Sequence, residues 1–191
     1  MGADKALLAF GSGTLLQHAL DTVKALSSRP VIVGPQDRYA PYGSVVEDIF
    51  PGCGPLGGIH AALCSTQTDL NLVLSVDMPL MTTDFLRWLL RAAADSNELV
   101  IVPESEGRPQ PLCAVYRRDV LPALERELKA GNFKVDRMFS LVKTRRISET
   151  ELCAAGFTPA IFCNVNTPAD YEAAARERLR VPLEAAKAQH E

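Results

Sequence analysis

Two aspartates follow short apolar runs of the kind that form buried strands. Asp77 comes directly after Leu72–Val76, and Pro79 ends a strand there because proline has no N–H to give to a ladder. Asp48 follows the shorter apolar run Val45–Val46. In open α/β sheets ligands bind at the carboxyl ends of strands, and carboxylates suit Mg²⁺. The pair therefore favours a nucleotide–Mg²⁺ site between two strand ends, with ordinary turn aspartates as the alternative.

A dense group of glycines, Gly52–Gly58, lies between Asp48 and a helix predicted over Ile59–Thr66. Glycine permits positive φ and a close approach of the backbone to a ligand. The N-terminus of the following helix offers unpaired N–H groups and a positive dipole, which suit a phosphate or a polar base edge. A plain structural turn explains the same glycines, so this segment alone leaves both interpretations open.

A second polar segment, Asn164–Pro168, follows an apolar run near the C-terminus. Asn166 or Thr167 is a suitable N-cap, and Pro168 suits the first position of a helix. This structural explanation does not account for Asn164, because a polar side chain between apolar neighbours needs a partner if it is buried. Lys5, taken by itself, has the properties of an ordinary solvated residue.

These residues are placed by strand-like runs that alternate with amphipathic helical segments. Strands are predicted over Val31–Val33, Val45–Asp48, Leu72–Val76, Leu99–Pro103, Leu112–Tyr116, Lys143–Ile147 and Ile161–Val165. Helices are predicted over Thr14–Leu26, Ile59–Thr66, Val120–Ala130 and Ala169–Arg180, with one more that Thr83 or Asp84 caps. The alternation predicts an α/β fold with a doubly wound, mainly parallel sheet in three α/β/α layers. Residues 1–180 are expected to form a single domain, followed by a C-terminal tail over 181–191.

Composition excludes several classes of protein. The chain has 191 residues and a net charge of -3, which predicts no general nucleic-acid or membrane surface. No apolar run approaches the roughly 20 residues of a membrane span, and we expect no signal peptide. The five cysteines are scattered without C-x-x-C spacing. They predict neither a disulfide framework nor structural zinc, but small buried side chains in a reducing cytoplasm.

Taken together, the segments resemble the molybdenum cofactor guanylyltransferase family of MobA-like nucleotidyltransferases. The resemblance runs in family order to about Arg180. It is carried by Met1–Leu8, Val31–Val33, Glu47–Asp48, Gly54–Gly58, Val76–Pro79, Gln110–Val115, Gly131–Val135 and Asn164–Pro168. It implies a Rossmann-like nucleotidyltransferase fold and a Mg²⁺-dependent enzyme. The implied reaction transfers GMP from GTP to the terminal phosphate of molybdopterin and releases pyrophosphate.

The resemblance also implies roles for individual residues. Lys5 corresponds to the phosphate-binding lysine and Asp77 to the Mg²⁺ ligand, and these two are the expected catalytic residues. Asp48 corresponds to the carboxylate of the GTP site. The glycines that precede the helix, Gly57 and Gly58 among them, would hold the nucleotide or the acceptor.

The acceptor side is expected to be lined by Asn164 and Asn166, again by resemblance. The implied partners are GTP and molybdopterin, with a molybdoenzyme or cofactor-synthesis proteins as protein partners. The implied location is the cytoplasm.

One departure from the family pattern concerns the N-terminus. The family pattern is Leu-Ala-Gly-Gly-x-Ser-x-Arg-Met-Gly-x-Asp-Lys, and this chain begins at its Met. A central strand and the double-glycine loop that wraps the triphosphate are therefore expected to be missing, through a misplaced start codon or a clipped chain. Such a loss predicts a slot in the sheet with unpaired backbone groups and impaired activity.

A second departure lies after Val31–Val33, where the family often has an asparagine that helps to read guanine. Here Gly34-Pro35-Gln36 stands in its place, and Gln36 offers an amide edge. Three alternatives to GTP-dependent transfer therefore stay open. They are a CTP-using enzyme, a nucleotidyltransferase for another phosphorylated small molecule, and a non-catalytic nucleotide-binding accessory protein.

Overall fold

A computed structural model describes residues 4–187, and the side chains of residues 4–177. The strands are β1 (Ala9–Phe10), β2 (Gly13–Thr14), β3 (Val31–Val33), β4 (Ser44–Val46), β5 (Leu70–Leu74), β6 (Val100–Ser105), β7 (Arg108–Pro109), β8 (Cys113–Arg117) and β9 (Thr144–Ile147). The helices are α1 (Leu15–Lys24), α2 (Gln36–Tyr39), α3 (Gly54–Cys64), α4 (Thr83–Ala94), α5 (Leu121–Lys129), α6 (Val135–Phe139), α7 (Glu149–Ala154) and α8 (Pro168–Lys187).

The main sheet has the strand order β5-β8-β6-β9, and the short strand β7 forms a hairpin with the end of β6. Strand β8 is antiparallel to both β5 and β6, whereas β9 is parallel to β6. Strands β5, β6 and β9 therefore run in one direction, and β8 runs against them. The predicted α/β fold with a mainly parallel sheet is confirmed, with β8 and the short strand β7 reversed.

Strands β3 and β4 form a separate parallel pair. Within residues 4–187, β5 is hydrogen-bonded to β8 alone and β3 to β4 alone. Helix α3 contacts both β3 and β5, so the two sheets lie beneath the same helix.

Alternate side chains of the central strands enter two separate cores, because successive residues of a strand point to opposite faces. Val100 and Val102 of β6 pack with apolar residues of α3 and α5. Ile101, between them, packs with apolar residues of α4 and α7. Helices therefore cover both faces of the sheet, in the predicted three layers.

The run that precedes Asp77 is a strand, but it lies two residues earlier than predicted. β5 covers Leu70–Leu74 in place of Leu72–Val76, because its register on β8 pairs Leu70 with Arg117 and Leu74 with Cys113. Its side chains are mostly half-exposed rather than fully covered on both faces. Asp77 thus lies three residues beyond the last residue of the strand.

The strand predicted over Ile161–Val165 is wrong. Pro159–Phe162 forms a 3-10 turn, and Ile161 and Phe162 pack into the core beneath α4 and α7. A short apolar run is compatible with either kind of backbone, since periodicity alone does not separate them. The last helix was predicted over Ala169–Arg180, and it begins at Pro168 and continues to Lys187.

The cysteines are only partly as predicted. All five are free. Cys113 is buried and Cys53 and Cys64 are half-buried, but Cys153 and Cys163 are exposed, so burial was wrongly predicted for those two. None of the helices in the described part of the chain combines the length and the apolarity that a bilayer span requires.

Helix α4 is capped one residue earlier than predicted. The Thr82 hydroxyl accepts the Phe85 N–H at 3.3 Å, whereas Asp84 lies in the first turn and pairs with Arg87 on the surface. Thr82→Ala should lower the free energy of unfolding in urea by about 1 kcal/mol, and Thr82→Asp, which keeps an acceptor oxygen, should restore most of it. A larger loss from Asp84→Ala than from Thr82→Ala would move the cap back to Asp84.

Candidate functional site

Lys5 is the first residue of a 3-10 turn that covers Lys5–Leu7. The Asp4 carboxylate caps this turn by accepting the Ala6 N–H at 3.1 Å. The Lys5 ammonium donates to the Asn166 side-chain oxygen at 2.9 Å, across 161 residues of sequence. The candidate phosphate-binding residue and a candidate acceptor-side residue are therefore in direct contact.

Asp77 reaches the same place through its backbone. The Val165 N–H donates to the Asp77 carbonyl at 2.8 Å, which places the segment Asn164–Asn166 against the turn that follows strand β5. Asn164 is half-buried within this segment, and Asn166 is exposed. The fold thus brings Lys5, Asp77 and Asn166 together at one edge of the sheet.

The Asn166 segment is fixed by the N-terminus of helix α8. Asp170 accepts the backbone N–H groups of Asn166 at 3.0 Å and Thr167 at 2.8 Å, and the Thr167 hydroxyl accepts the Asp170 N–H. These hydrogen bonds hold the pKa of the Asp170 carboxyl below its ordinary value. Thr167 is therefore the N-cap, one of the two predicted, and the spacing Thr-x-x-Asp is the sequence signal for it.

Asp48 lies against the first turns of helix α3. A methyl group added at Gly58 would lie 3.8 Å from its Oδ1, and one added at Gly57 would lie 4.0 Å from its Oδ2. The glycines were predicted to precede the helix, but α3 begins at Gly54 and contains Gly57 and Gly58. Burial of apolar α3 residues in the core overrides the weak helix propensity of glycine.

Only some of these glycines are explained by positive φ. Gly52 and Gly54 have φ values of 78° and 60°, whereas Gly57 is needed for space. A methyl group at Gly57 would lie 3.0 Å from the carbonyl oxygen of Phe50. The thiol of the N-cap, Cys53, donates to the Pro51 carbonyl and accepts no N–H of the helix, so no capping side chain occupies the first N–H groups of α3.

A small apolar core joins the two halves of the site. It packs the lysine turn, strands β3 and β4 and the segment before Asp77 together, and its members include Ala6, Ile32, Val45 and Val76. Lys5 adjoins Ala6, Asp77 adjoins Val76, and Asp48 follows β4 closely. One core therefore holds all three predicted ionic residues in a fixed arrangement.

The first 146 residues match the model of the MobA-like NTP transferase domain. The chain belongs to this family of NTP transferases. A protein of Pelotomaculum thermopropionicum named probable molybdenum cofactor guanylyltransferase is 34% identical over 172 residues, which are 89% of this chain and 83% of the relative.

Solved structures show the same NTP transferase fold. Molybdopterin-guanine dinucleotide biosynthesis protein A from Archaeoglobus fulgidus matches with a TM-score of 0.81 at 22% identity, over 94% of this chain and 92% of that one. A 2-C-methyl-D-erythritol 4-phosphate cytidylyltransferase from Thermus thermophilus matches with a TM-score of 0.70 at 17% identity, over 91% and 93%. These likenesses show the fold alone.

The two carboxylates of this NTP transferase domain have unused hydrogen-bonding capacity. Among the described residues, Asp48 Oδ1 and Asp77 Oδ1 are the buried side-chain oxygens that lack a hydrogen-bond partner. An unpaired buried carboxylate oxygen is unfavourable unless a cation or a donor compensates it. The residues therefore fit a divalent cation or the donor groups of a bound nucleotide.

No cluster of three or more His, Cys, Asp or Glu side chains suited to a metal ion occurs in the part of the chain that the structure describes. A caged zinc or calcium site is not formed by these residues. Mg²⁺ differs, because it is commonly held by one or two carboxylates together with substrate phosphates and water. The isolated position of Asp77 suits that mode of binding.

Asp4 belongs to the site but was not predicted from the sequence. Its carboxylate caps the lysine turn and also accepts a hydrogen bond from Tyr39, far along the chain. The sequence signal for Asp4 was its place directly before the candidate lysine in the family pattern Met-Gly-x-Asp-Lys, which marks the position but gives it no role.

Alanine substitutions at Gly57 and Gly58 should distinguish the effect of limited space from the effect of helix propensity on stability. Gly58→Ala meets only ordinary contacts of 3.7 Å or more, so it should raise the free energy of unfolding by about 0.5–1 kcal/mol. Gly57→Ala should not raise the free energy of unfolding, because the added methyl group forces the Phe50 carbonyl to move. Urea denaturation of the two variants checks this, and an equal gain at both positions would contradict it.

Proposed function

We propose that this NTP transferase domain transfers GMP from GTP to the terminal phosphate of molybdopterin, with release of pyrophosphate. The naming of relatives such as the Pelotomaculum protein supports this acceptor and this nucleotide. The observation that carries the proposal is the pair of buried, unpartnered oxygens of Asp48 and Asp77. Asp48 and Asp77 follow strands β4 and β5 by two and three residues, and the same small core joins both segments to the Lys5 turn.

The chemistry needs positioning and charge neutralisation more than proton transfer. An oxygen of the molybdopterin phosphate attacks the α-phosphorus of GTP, a new P–O bond forms, and the bond to the pyrophosphate group breaks. The attacking phosphate is already ionised, so no general base is required. The Lys5 ammonium neutralises charge on the triphosphate and on the leaving pyrophosphate.

We further propose that the reaction depends on Mg²⁺. Asp77 would hold the ion, while Asp48 lies on the nucleotide side beside the N-terminus of α3. When bound, the ion neutralises phosphate charge and orients the leaving group. The unpartnered Asp77 oxygen supports this assignment, because Mg²⁺ prefers carboxylate oxygens.

Asn166 is suited to orient the acceptor. A lysine ammonium only donates hydrogen bonds, so the Asn166 amide must turn its oxygen toward Lys5. The amide NH₂ then points away from Lys5 and can donate to a phosphate oxygen of the acceptor. Asn164, half-buried in the same segment, lies on the same acceptor side.

The proposed setting is the cytoplasm, with a molybdoenzyme or cofactor-synthesis proteins as partners for the product. Five free cysteines fit a reducing compartment. The partners are inferred from the product alone, since a labile cofactor needs a protein to receive it.

A CTP-using enzyme is the second candidate. Gln36 is exposed at the loop after β3, where the family often has the guanine-reading asparagine, and its backbone N–H donates to Glu47 at 3.0 Å. A glutamine amide can pair with either base. Pyrophosphate release with molybdopterin, Mg²⁺ and either GTP or CTP tests the choice: faster release with CTP would replace the proposed nucleotide.

Asp77→Ala should reduce Mg²⁺-dependent pyrophosphate release by about 100-fold or more, because charge neutralisation at the phosphates is lost. The free energy of unfolding should not fall, since the substitution removes a buried oxygen that has no partner. Asp95→Ala, at an exposed aspartate at the end of α4, is the control. Full activity of the Asp77 variant would remove this residue from the metal site.

Lys5→Ala should weaken GTP binding about tenfold, because a charge-assisted contact to phosphate is lost. Guanosine, which has no phosphate, should bind equally to both proteins. Titration calorimetry with both ligands measures the difference, and Lys129→Ala at an exposed lysine of α5 is the control. A parallel loss of guanosine affinity would place Lys5 away from the phosphates.

A further inference from the structure

Tyr39, which was not predicted as a site residue, contacts both the segment that carries Lys5 and the loop that follows β3. Tyr39, the last residue of the short helix α2, places its hydroxyl 3.0 Å and 2.9 Å from the two carboxylate oxygens of Asp4. Asp4 is also the cap of the turn that carries Lys5. The Tyr39 hydroxyl is thus one hydrogen bond away from the residue that positions the candidate phosphate-binding lysine.

The ring of Tyr39 lies against the loop that follows β3. A methyl group added at Gly34 would lie 2.6 Å from the ring carbon Cε2, so the ring fills the space that any other residue would need. The loop itself is tied to β4, because the Gly34 N–H donates to the Val46 carbonyl at 2.9 Å. Tyr39 therefore contacts a loop of fixed position, and this loop leads directly to Gln36.

Burial and a neighbouring positive charge stabilise the hydrogen bond between Tyr39 and Asp4. The Tyr39 ring packs on the small apolar core beneath the site, and the Asp4 side chain is only 19% exposed. Arg38 approaches the same carboxylate at 3.5 Å from the solvent side, with 58% of its side chain exposed. Asp4 is therefore held from three directions: by its own turn, by Tyr39 and by Arg38.

Burial, followed by the hydrogen bond to Asp4, raises the pKa of Tyr39 to about 12. A group with a raised pKa contributes stability below its ordinary pKa and loses it as the pH rises through the raised value. The hydroxyl accordingly keeps its proton and remains a donor to Asp4 throughout the neutral range in which a triphosphate is charged.

We propose that Tyr39 is a positioning residue that fixes the separation between the Gly34–Gln36 loop and the Lys5 ammonium. The site then favours ligands that carry a base and a polyphosphate at that separation, that is, nucleoside triphosphates over nucleosides. This inference rests on the proposed function for the identity of the ligand. The link between Tyr39, Asp4 and Lys5 stands on the contacts alone.

Tyr39→Phe removes the hydroxyl and keeps the ring, and Tyr42→Phe is the matched control because Tyr42 packs on the same apolar core. In the absence of ligand, amide hydrogen exchange should become faster over Ala6–Leu8 in Tyr39→Phe and stay unchanged in Tyr42→Phe. Urea denaturation checks that the variants fold. Asp4→Asn, which removes the charge and keeps an acceptor oxygen, is the second variant and should change exchange in the same direction.

In the presence of ligand, Tyr39→Phe should weaken GTP binding about tenfold, the lower end of what a hydrogen bond to a charged group contributes. Guanosine binding should change less than about twofold, since only the phosphate end loses its position. In turnover, the KM for GTP should rise while kcat and the KM for molybdopterin stay within about twofold, a split that general destabilisation would not produce.

A double-mutant cycle with Lys5→Ala tests whether Tyr39→Phe weakens GTP binding through Lys5. If Tyr39 acts through Lys5, Tyr39→Phe should change GTP affinity by less than about twofold in the Lys5→Ala background. A tenfold loss in both backgrounds would overturn the proposed route.

The remaining outcomes separate this inference from the proposed function. Unchanged exchange over Ala6–Leu8, or unchanged GTP affinity in Tyr39→Phe, would overturn the inference while leaving the proposed function intact. Failure of the unsubstituted chain to bind GTP would overturn the proposed nucleotide and, with it, the ligand preference assigned here.

Discussion

The site depends on one constraint, the attachment of the N-terminal segment to the start of helix α8. Phe10, Leu15, Val165 and Ala174 form a buried core between these two parts of the chain. The Val165 N–H bonds the Asp77 carbonyl, and the Tyr171 hydroxyl bonds the Ala9 carbonyl. A single hydrogen bond contributes about 1 kcal/mol, whereas each large apolar side chain buried here contributes about 1.5–3 kcal/mol. The apolar core therefore determines that Lys5 and Asn166 meet.

The unpaired polar groups of the candidate site are unfavourable for the stability of the folded chain. Among the described residues, one carboxylate oxygen each of Asp48 and Asp77 is buried without a partner, close after strands β4 and β5, and the N-terminus of α3 has no capping side chain. Both features are unfavourable in the isolated chain, and both are relieved by a ligand that brings positive charge to the carboxylates and acceptors to the N–H groups. A nucleotide with a divalent cation has this combination. The proposed site is thus located where buried polar groups lack partners in the chain itself.

The fold alone does not decide the reaction. The same architecture carries a cytidylyltransferase and a molybdopterin-guanine dinucleotide biosynthesis protein among the solved structures. What distinguishes members of such a fold is the set of side chains at the strand ends. In this chain the candidates are Lys5, Asp48, Asp77 and the asparagines of the segment before α8, with Tyr39 and Asp4 proposed to position the lysine.

Much of this molecule was determined by the sequence alone. Apolar runs that alternate with amphipathic segments predict the layered α/β fold, which the structure confirms, whereas the ligand site inferred from the aspartates after the strands stays a prediction. Helix α3 and the run Ile161–Val165 were misjudged, because glycine propensity and apolar periodicity are weak local signals that core packing overrides. Strand β5 was shifted by two residues, because register is set by the partner strand β8.

Only the tertiary structure decided which of the candidate residues meet. The contact between Lys5 and Asn166 spans 161 residues, and the bond from Tyr39 to Asp4 spans 35. No local pattern encodes such contacts, since they arise from the burial of separate apolar segments in shared cores. The sequence supplies the chemistry of each residue, and long-range packing supplies the distances on which a reaction depends.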